Sequence, residues 1–430
     1  MNDIIQAEEL EQYEVNDLYQ ATQLLLQDFQ RTKEEEHPGK INEIIEHLKK
    51  RLAKKAAYPL AVLLECTHLS IRHQLEKEWN SAMKQRQLFL FEGLIAQFRG
   101  KVPPGVWNQI SLNYAEALLQ TGRSIDSLAV LDGMIETENE PFFERQGAER
   151  GWALVFYSTF LKNKAEKAKA LHTARELLQR SQTDISDEKG RKLYAERLKI
   201  AVRMLEQLGA VDVTEDYRLE LHQGREKEYR DWCAKHRLLL NGTNDIDPQG
   251  TLKLDSLTYR SKSTDKERTA YLAAYLEALT TEFTAMRWNL FEALDLEPKD
   301  PNRNERLKNV YRQAFSLFDK VGPFINQAYK LDVPEPRAGM QRIWFEEEHP
   351  QKPLKPFIKD AKNDALKALY WQSKELFGYE RSDRQNLMMI RAQHLRQQME
   401  RGFVQVVAKP EDAIKEGDLR KHQMTQKELE

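Results

Sequence analysis

The chain has few of the residues that interrupt regular structure. Its 430 residues include 18 glycines and 15 prolines, about 8% together, where globular proteins have about 12%. β-Sandwiches, barrels and doubly wound sheets need frequent turns and β-branched runs, so this scarcity argues against all three. Charged residues make up 31% of the chain and hydrophobic residues 40%, with many good helix formers. The composition therefore predicts a mostly helical protein.

The chain also has few cysteines and little net charge. The two cysteines, Cys66 and Cys233, are too few and too far apart for a disulfide framework or a CxxC metal site, so we expect both to be buried. The formal net charge of −2 gives no overall basic field that would attract nucleic acid. The most basic local cluster, KKRLAKK (49–55), is interpreted as a solvated helix face, with a nucleic-acid contact as the alternative.

No segment has the pattern of a targeting or membrane-spanning sequence. The N-terminal MNDIIQAEELEQYEVND is acidic and lacks the regions of a signal peptide. The best apolar run, AAYPLAVLLEC (56–66), is too short to span a bilayer. Phosphate-loop, dinucleotide and zinc-protease signatures are missing, and the ten histidines do not cluster. We therefore expect a cytoplasmic protein with no membrane contact, metal or cofactor.

The first half of the chain is predicted to form consecutive amphipathic helices. After residue 103, two apolar helical stripes flank a turn at Thr121-Gly122-Arg123. The stripes contain Trp107, Ile110, Tyr114 and Ala117, then Leu128, Leu131 and Ile135. This pattern resembles a tetratricopeptide repeat, and a weaker second pair spans residues 152–177. Such pairs stack into a solenoid with a concave binding surface, and a plain helical bundle is the alternative.

The pattern changes after Leu208-Gly209-Ala210. A helix at about 217–235 leads into a stretch with little periodicity, and helices resume at about 267–294, 306–331 and 364–377, with a last one ending near Gly402. Residues from Lys409 onward are polar and of mixed charge. We predict a tetratricopeptide-like repeat domain at 1–215, a second helical domain at 216–408, and a flexible polar tail at 409–430.

Several segments of the second half form an ordered series. In YRDWCAKHRLLLNGTNDI (229–246), the Asn and Asp residues indicate helix termination and Asx-type loop bonding. EFTAMRWNLFEAL (282–294), AFSLFDKVGPFINQ (314–327) and LYWQSKELF (369–377) follow, and the last helix is rich in Arg, Gln and His. The first segment matches the pattern W-C-x3-R-L-x-L-N-x2-N-D at Trp232, Cys233, Arg237, Leu238, Leu240, Asn241, Asn244 and Asp245.

This series resembles the bacterial branch of the HEPN superfamily (higher eukaryotes and prokaryotes nucleotide-binding domain) in which tetratricopeptide-like repeats precede the domain. The resemblance covers about residues 217–407. It implies an all-α protein, with the solenoid followed by a HEPN-type helical bundle. It also implies metal-independent RNA cleavage in bacterial defence or toxin systems, in a cleft formed by the last helices of a homodimer. Arg237, Asn241, Asn244, Asp245 and Glu400 are expected to support the motif.

In active members of that superfamily the last helix carries R-N-x3-5-H, or more loosely R-x4-6-H. Alignment places Arg396 at the arginine position, Gln397 at the Asn and Arg401 at the His. An arginine can stabilise charge on a phosphorane, but it stays charged near pH 7 and cannot act as general acid or base. Binding of RNA or phosphate through Arg391, Gln397 and Arg401 would survive this replacement.

Another histidine lies close to the missing one. His394 is seven residues before Arg401 and three after Arg391, so it falls near the same helical face. Arg391, His394, Gln398 and Arg401 therefore form an alternative polar stripe. The loose pattern also occurs at Arg31/His37, Arg230/His236 and Arg342/His349, which shows how little it proves alone. Without the resemblance, the arginines of the last helix are interpreted as solvated charges that pair with Glu375, Glu400 or Asp383.

Two hypotheses follow for an RNA-directed protein. In the first, the chain is a ribonuclease effector in which Arg396 and His394 form a rearranged catalytic site. In the second, it is a non-catalytic HEPN module that binds RNA, a nucleotide or a partner protein. Both give the solenoid a protein or peptide partner. The loss of the Asn–His pair at Gln397 and Arg401 is the feature that separates them.

Overall fold

The computed structural model describes most of the helical part of the chain and isolated stretches near its end. The described residues are 7–34, 37–53, 55–76, 78–134, 142–185, 187–211, 224–246, 255–259, 264–297, 300–350, 352–377, 396, 399, 405–407 and 423–425. They belong to two compact units, Met1–Val213 and Thr214–Glu430. Within these ranges, every helix is too short or too polar to cross a lipid bilayer.

The first unit is a succession of helices joined by short turns. They are α1 (Val15–Thr32), α2 (His37–Leu52), α3 (Tyr58–Leu75), α4 (Ala82–Phe98), α5 (Pro104–Gln120), α6 (Ser124–Asp132), α7 (Phe142–Phe160), α8 (Lys164–Asp184) and α9 (Glu188–Leu208). Polar side chains cap several of their N-termini. The Asn163 Oδ1, for example, accepts the N–H of Ala165 at 2.8 Å at the start of α8.

The helices of the first unit stack as a solenoid. Each one packs against the next along the chain, and the odd-numbered helices α1, α3, α5, α7 and α9 also contact one another in order. Because each helix pair leaves an apolar face open, the next pair must cover it, and this produces a repeating stack. The predicted all-α solenoid is confirmed, and the alternative of a plain bundle does not describe this packing.

The helix pair α5–α6 shows how the sequence determines this packing. Trp107, Ile110 and Tyr114 are all buried on α5, as their spacing predicts. Gly122 adopts a φ of 81°, a left-handed conformation that glycine accepts without strain. The turn is closed by the N–H of Arg123, which donates to the Leu118 carbonyl at 3.0 Å.

A buried ion cluster joins α2, α3 and α4. Glu65 on α3 is 4% exposed, and it accepts hydrogen bonds from Lys49 Nζ at 2.8 Å and from Arg86 Nε at 2.5 Å. Lys49 belongs to the basic cluster 49–55, yet its side chain is only 17% exposed. The interpretation of that cluster as a solvated face is therefore wrong for Lys49. Both cysteines are buried, as expected.

Two long helices dominate the second unit. Its elements are α10 (Arg225–Lys235), α11 (Gly242–Ile246), α12 (Lys266–Asp295), α13 (Pro301–Tyr329), α14 (Pro356–Lys359), α15 (Asp364–Phe377), β1 (Gln405–Val407) and β2 (Gln423–Thr425). α12 and α13 run antiparallel, since Arg268 Nε near the start of α12 donates to the Gln327 carbonyl near the end of α13 at 2.9 Å. The strands pair in parallel. This short pair departs from the helical expectation, and β2 falls within the predicted tail.

The segment between α13 and α14 packs tightly rather than forming an open loop. Trp344 is fully buried, and its Nε1 donates to the Met340 carbonyl at 2.6 Å and to Ser373 Oγ at 3.1 Å. A Cβ on Gly322 of α13 would overlap the Ala338 carbonyl oxygen. The close approach of this segment to α13 therefore requires glycine at position 322.

Candidate functional site

The loop after α10 contains the first predicted motif. The Asn241 side chain accepts the N–H of Thr243 at 3.0 Å and donates through Nδ2 to Ser256 Oγ at 3.1 Å. Arg237 Nη1 lies 3.6 Å from Asp245 Oδ1, and both side chains are largely buried. The backbone N–H of Asn244 donates to the Asn241 carbonyl at 3.1 Å. These contacts form the Asx-type loop that the residue types predict.

Arg287 of α12 holds this loop in place through hydrogen bonds. It is 4% exposed, and its Nη1 donates to the Leu238 carbonyl at 2.6 Å. Nη2 and Nη1 lie 2.6 and 3.1 Å from the two carboxylate oxygens of Asp255, and Nε donates to Tyr229 Oη at 2.7 Å. All three guanidinium nitrogens thus donate hydrogen bonds, to groups from three separate segments.

Asp255 also takes part in this hydrogen-bond network. Its Oδ1 also accepts the N–H of Leu240 at 2.6 Å. Burial alone would raise the pKa of this carboxyl, but the hydrogen bonds from Arg287 and Leu240 hold it below its usual value. The motif residues and their neighbours therefore form a polar core that shapes the loop.

Arg396, the predicted arginine of the last helix, contacts α13. Its Nη2 lies 2.7 Å from Asp319 Oδ2, and its guanidinium carbon lies 5.2 Å from the centre of the Phe315 ring. Its side chain is 23% exposed. Asp319, which is 77 residues away in sequence, was not among the partners expected from sequence, namely Glu375, Glu400 or Asp383.

Met399 holds the same helix against the unit. It is 4% exposed and packs with Ala293 of α12 and Leu307 of α13. Arg312 Nη2 donates to the Met399 carbonyl at 2.9 Å. Burial raises the pKa of the neighbouring Tyr311 to about 12, although the charge of Arg396 opposes this shift. Arg396 therefore lies at the edge of the apolar contact that Met399 makes with α12 and α13.

The other predicted site residues of the last helix lie outside the described residues. They are Arg391, His394, Gln397, Gln398, Glu400 and Arg401. Two of the loose Arg–His pairs elsewhere have ordinary contacts. Arg31 and His37 both contact Asp28, at 2.6 and 3.2 Å, while Arg230 pairs with Glu226.

A second candidate site lies on the solenoid. Residues of α3, α4 and α5 enclose a cavity of about 140 Å³, and residues from α5, α7 and the start of α9 enclose one of about 280 Å³. Asn113 and Glu116 of α5 line both cavities. The two cavities are therefore adjacent, and we refer to them together as the groove.

Charged and amide side chains surround the larger cavity. Its lining includes Gln109, Asn113, Glu116, Arg145, Glu149, Asp187 and Lys189. Burial raises the pKa of Glu149, although its 2.6 Å contact with Arg197 opposes the rise. Arg197 in turn stacks over the Trp152 ring, 5.1 Å from its centre. This wall of the groove is therefore polar and held firmly in place.

The fold and the site define a two-unit α-helical protein whose C-terminal unit holds an arginine-bearing last helix against α12 and α13. Residues 263–430 match the LA2681-like HEPN family. This match supports the HEPN superfamily membership that the resemblance implies for this part of the chain. The match begins after the motif at 229–246 and does not reach the solenoid. Comparisons with curated proteins and with solved structures found no match.

Sequence reasoning did not identify Arg287, Asp255 or Asp319. Arg287 lies in the segment EFTAMRWNLFEAL, where a charge stands among apolar and aromatic neighbours. Such a placement is a usable signal, since arginine is rarely buried without partners. Asp255 gave no signal because it lies in a stretch without periodicity. The groove residues were also missed, because their proximity depends on how successive helices stack.

Proposed function

We propose that this chain is an RNA-directed HEPN-type protein, a ribonuclease-like effector of bacterial defence or toxin systems that acts as a homodimer. The observation that carries the proposal is the position of Arg396. Our sequence alignment predicts that it occupies the superfamily's arginine position, and it lies within the part of the chain that matches the LA2681-like HEPN family. Its side chain is partly exposed, and its Nη2 lies 2.7 Å from Asp319 Oδ2.

The proposed chemistry needs a charge stabiliser and a proton carrier. Arg396 would bind the phosphate and stabilise the negative charge that develops when the ribose 2′-hydroxyl attacks. His394 would carry the proton, since Arg401 cannot. In this proposal Arg391, Gln397 and Arg401 bind the RNA backbone, and the solenoid recruits a partner polypeptide through its groove.

A second candidate function is a non-catalytic HEPN module that binds RNA, a nucleotide or a protein. One observation favours it. Arg396 is already engaged, with Asp319 at 2.7 Å and the Phe315 ring beneath it, so part of its role is to hold the last helix on α13. The motif loop at 229–246 likewise uses its polar groups internally.

The deciding experiment incubates the purified chain with total RNA in EDTA and compares it with Arg396→Ala and His394→Ala. Arg306→Ala is the matched control, because Arg306 is an exposed arginine of α13 that lies 3.7 Å from Glu292. Cleavage that is lost in both site variants and kept in the control supports the effector. RNA binding without cleavage, lost only in Arg396→Ala, supports the binding module. If the chain neither binds nor cleaves RNA, the RNA-directed function is refuted.

A double variant that restores the superfamily residues tests whether the chain has lost only its proton carrier or the whole cleft. Gln397→Asn combined with Arg401→His restores the superfamily pattern at both positions. If the wild-type chain does not cleave RNA and the double variant does, the cleft is intact and only its proton carrier was replaced.

A further inference from the structure

One face of α12 is exposed to solvent along most of the helix. The opposite side of α12 packs on α13 and on α10, and Leu272 and Phe291 are buried there. On the exposed face, six residues recur at alternating spacings of three and four. They are Tyr271, Ala274, Ala278, Thr281, Ala285 and Trp288. This is the a/d spacing of a helix that packs against a second helix, so α12 presents a surface suited to another helix.

The α12 stripe, as we call these six residues, has aromatic side chains at both ends. Tyr271 is 47% exposed and Trp288 is 38% exposed. Rings of the same unit hold both of them in place. The Trp288 ring centre lies 4.6 Å from that of Tyr229, and the Tyr271 ring centre lies 6.0 Å from that of Tyr275. Exposed aromatic side chains that are already held lose little entropy on binding, and they are typical anchors of protein interfaces.

The order of residues in the α12 stripe is nearly the same in both directions. Read inward from either end, an aromatic residue is followed by an alanine and then by a second small residue. The pairs Tyr271/Trp288, Ala274/Ala285 and Ala278/Thr281 are all centred on the peptide bond between Leu279 and Thr280. A two-fold contact between identical chains needs such a patch, in which residue i meets residue j and residue j meets residue i. A different partner protein would not require this order.

The size of the α12 stripe limits the strength of such a contact. Residues 271–288 extend over about 26 Å and a helix is about 10–12 Å wide, so each copy offers about 280 Å². Two copies together therefore bury less than the roughly 1,200 Å² of a stable complex. Glu277, which is exposed beside the stripe in each copy, adds repulsion. The contact is therefore weak and reversible.

We propose that two copies of this chain associate reversibly through their α12 stripes, with the two helices antiparallel. Tyr271 of one copy packs against the partner's Trp288, and the small residues between them let the helices approach closely. The inference goes beyond the proposed function, because it uses neither Arg396 nor RNA and places the contact on α12 instead of the last helix.

Charge variants of the full chain test the contact. Sedimentation velocity should give a dissociation constant of about 10–100 μM for the wild type. Ala278→Glu and Thr281→Arg each bring like charges together near the two-fold axis, and each should weaken association at least about tenfold. An equal mixture of the two variants should recover association, because opposite charges then meet. Ala314→Glu and Ser316→Arg, at exposed positions of α13, are the matched controls and should change nothing.

Introduced cysteines test the antiparallel register. Ala274→Cys and Ala285→Cys face each other only between antiparallel copies, so a mixture of the two variants should form a disulfide-linked dimer on oxidation. Ala274→Cys alone should not, because its two thiols would lie about 16 Å apart along the helices, well beyond the separation of about 7 Å that a disulfide can bridge. The native Cys66 and Cys233 are buried and do not compete.

The outcomes separate this contact from its alternatives. Association that is lost in each charge variant and recovered in their mixture supports the inference, whether or not the chain binds or cleaves RNA. A wild-type chain that stays monomeric at about 200 μM overturns it. A dimer that both charge variants leave intact overturns it as well, and if Arg396→Ala dissociates that dimer, the copies meet at their last helices. Crosslinking of Ala274→Cys alone would refute the antiparallel register.

Discussion

Replacing Arg287 with methionine should destabilise the second unit by about 3–4 kcal/mol. The guanidinium is 4% exposed and donates to Asp255, Tyr229 and the Leu238 carbonyl. Breaking a buried ion pair by removing one partner costs about 3–5 kcal/mol, and a buried carbonyl without a donor costs about 1–3 kcal/mol. The sum is an overestimate, because the Asp255 side chain is 27% exposed and water can solvate it in part.

The assay must report on the second unit alone, because a chain with two compact units need not unfold in a single step. Hydrogen exchange followed by mass spectrometry at α10 and α12 meets this need. Arg287→Lys should lie between wild type and Arg287→Met, since it keeps the charge and loses the planar fork. Arg306→Met is the control, and its exposed ion pair predicts a change below about 1 kcal/mol.

A double variant tests the cause of the loss. Arg287→Met combined with Asp255→Leu should cost much less than the sum of the two single changes, because no unpaired charge remains. Additive losses would show that Arg287 acts through its apolar packing and not through Asp255. A loss below about 1 kcal/mol for Arg287→Met would refute the reasoning altogether.

Three further predictions concern packing and titration elsewhere. Gly322→Ala should destabilise the second unit by about 1–3 kcal/mol through a backbone clash, whereas Gly93→Ala, with open space around it, should stabilise the first unit by about 0.5–1 kcal/mol in urea unfolding. Burial lowers the pKa of His68 to about 4, so the unfolded chain binds a proton that the folded chain does not. Between pH 6.5 and 4 this histidine should therefore lower stability by on the order of 3 kcal/mol. His68→Leu should reduce the fall by that amount, and the part due to His73, whose pKa burial also lowers to about 4, should remain. Glu65→Gln should cost about 3–5 kcal/mol because it leaves two cations without their carboxylate, while exposed Glu46→Gln should change stability by less than about 1 kcal/mol.

The helices and the solenoid were predictable because their signals are local. Trp107, Ile110 and Tyr114 recur at the helical period, and about two turns of sequence are enough to predict which side of the helix is buried. The glycine of the 121–123 turn is a similar case, since its φ of 81° is accessible chiefly to glycine. Such features depend on neighbours in sequence, which periodicity measures directly.

The polar networks were not predictable, because their partners are distant in sequence. Arg287 and Asp255 are 32 residues apart, and Arg396 and Asp319 are 77 apart. No periodic pattern links such pairs, since their contact depends on how α12 and α13 align and where the loops return. The groove has the same origin. Glu116 and Arg145 line the same cavity only because α5 and α7 stack.

The ion pair between Arg396 and Asp319 leads to a final prediction about RNA. The two side chains are 23% and 37% exposed, and such a pair contributes about 0–1 kcal/mol. An RNA phosphate can therefore replace Asp319 at little cost. If Arg396 contacts RNA, Asp319 competes with the phosphate, and Asp319→Asn should tighten RNA binding up to about fivefold.

The same substitution has another outcome if Arg396 only anchors the last helix. Asp319→Asn then removes a weak contact, lowers stability slightly, and leaves RNA affinity unchanged. Filter binding at several salt concentrations distinguishes the two cases, because a phosphate contact through Arg396 adds about one to the slope of log affinity against log salt. Arg396→Ala should remove that increment if the contact exists. An equal salt slope in wild type, Asp319→Asn and Arg396→Ala would exclude Arg396 from RNA binding.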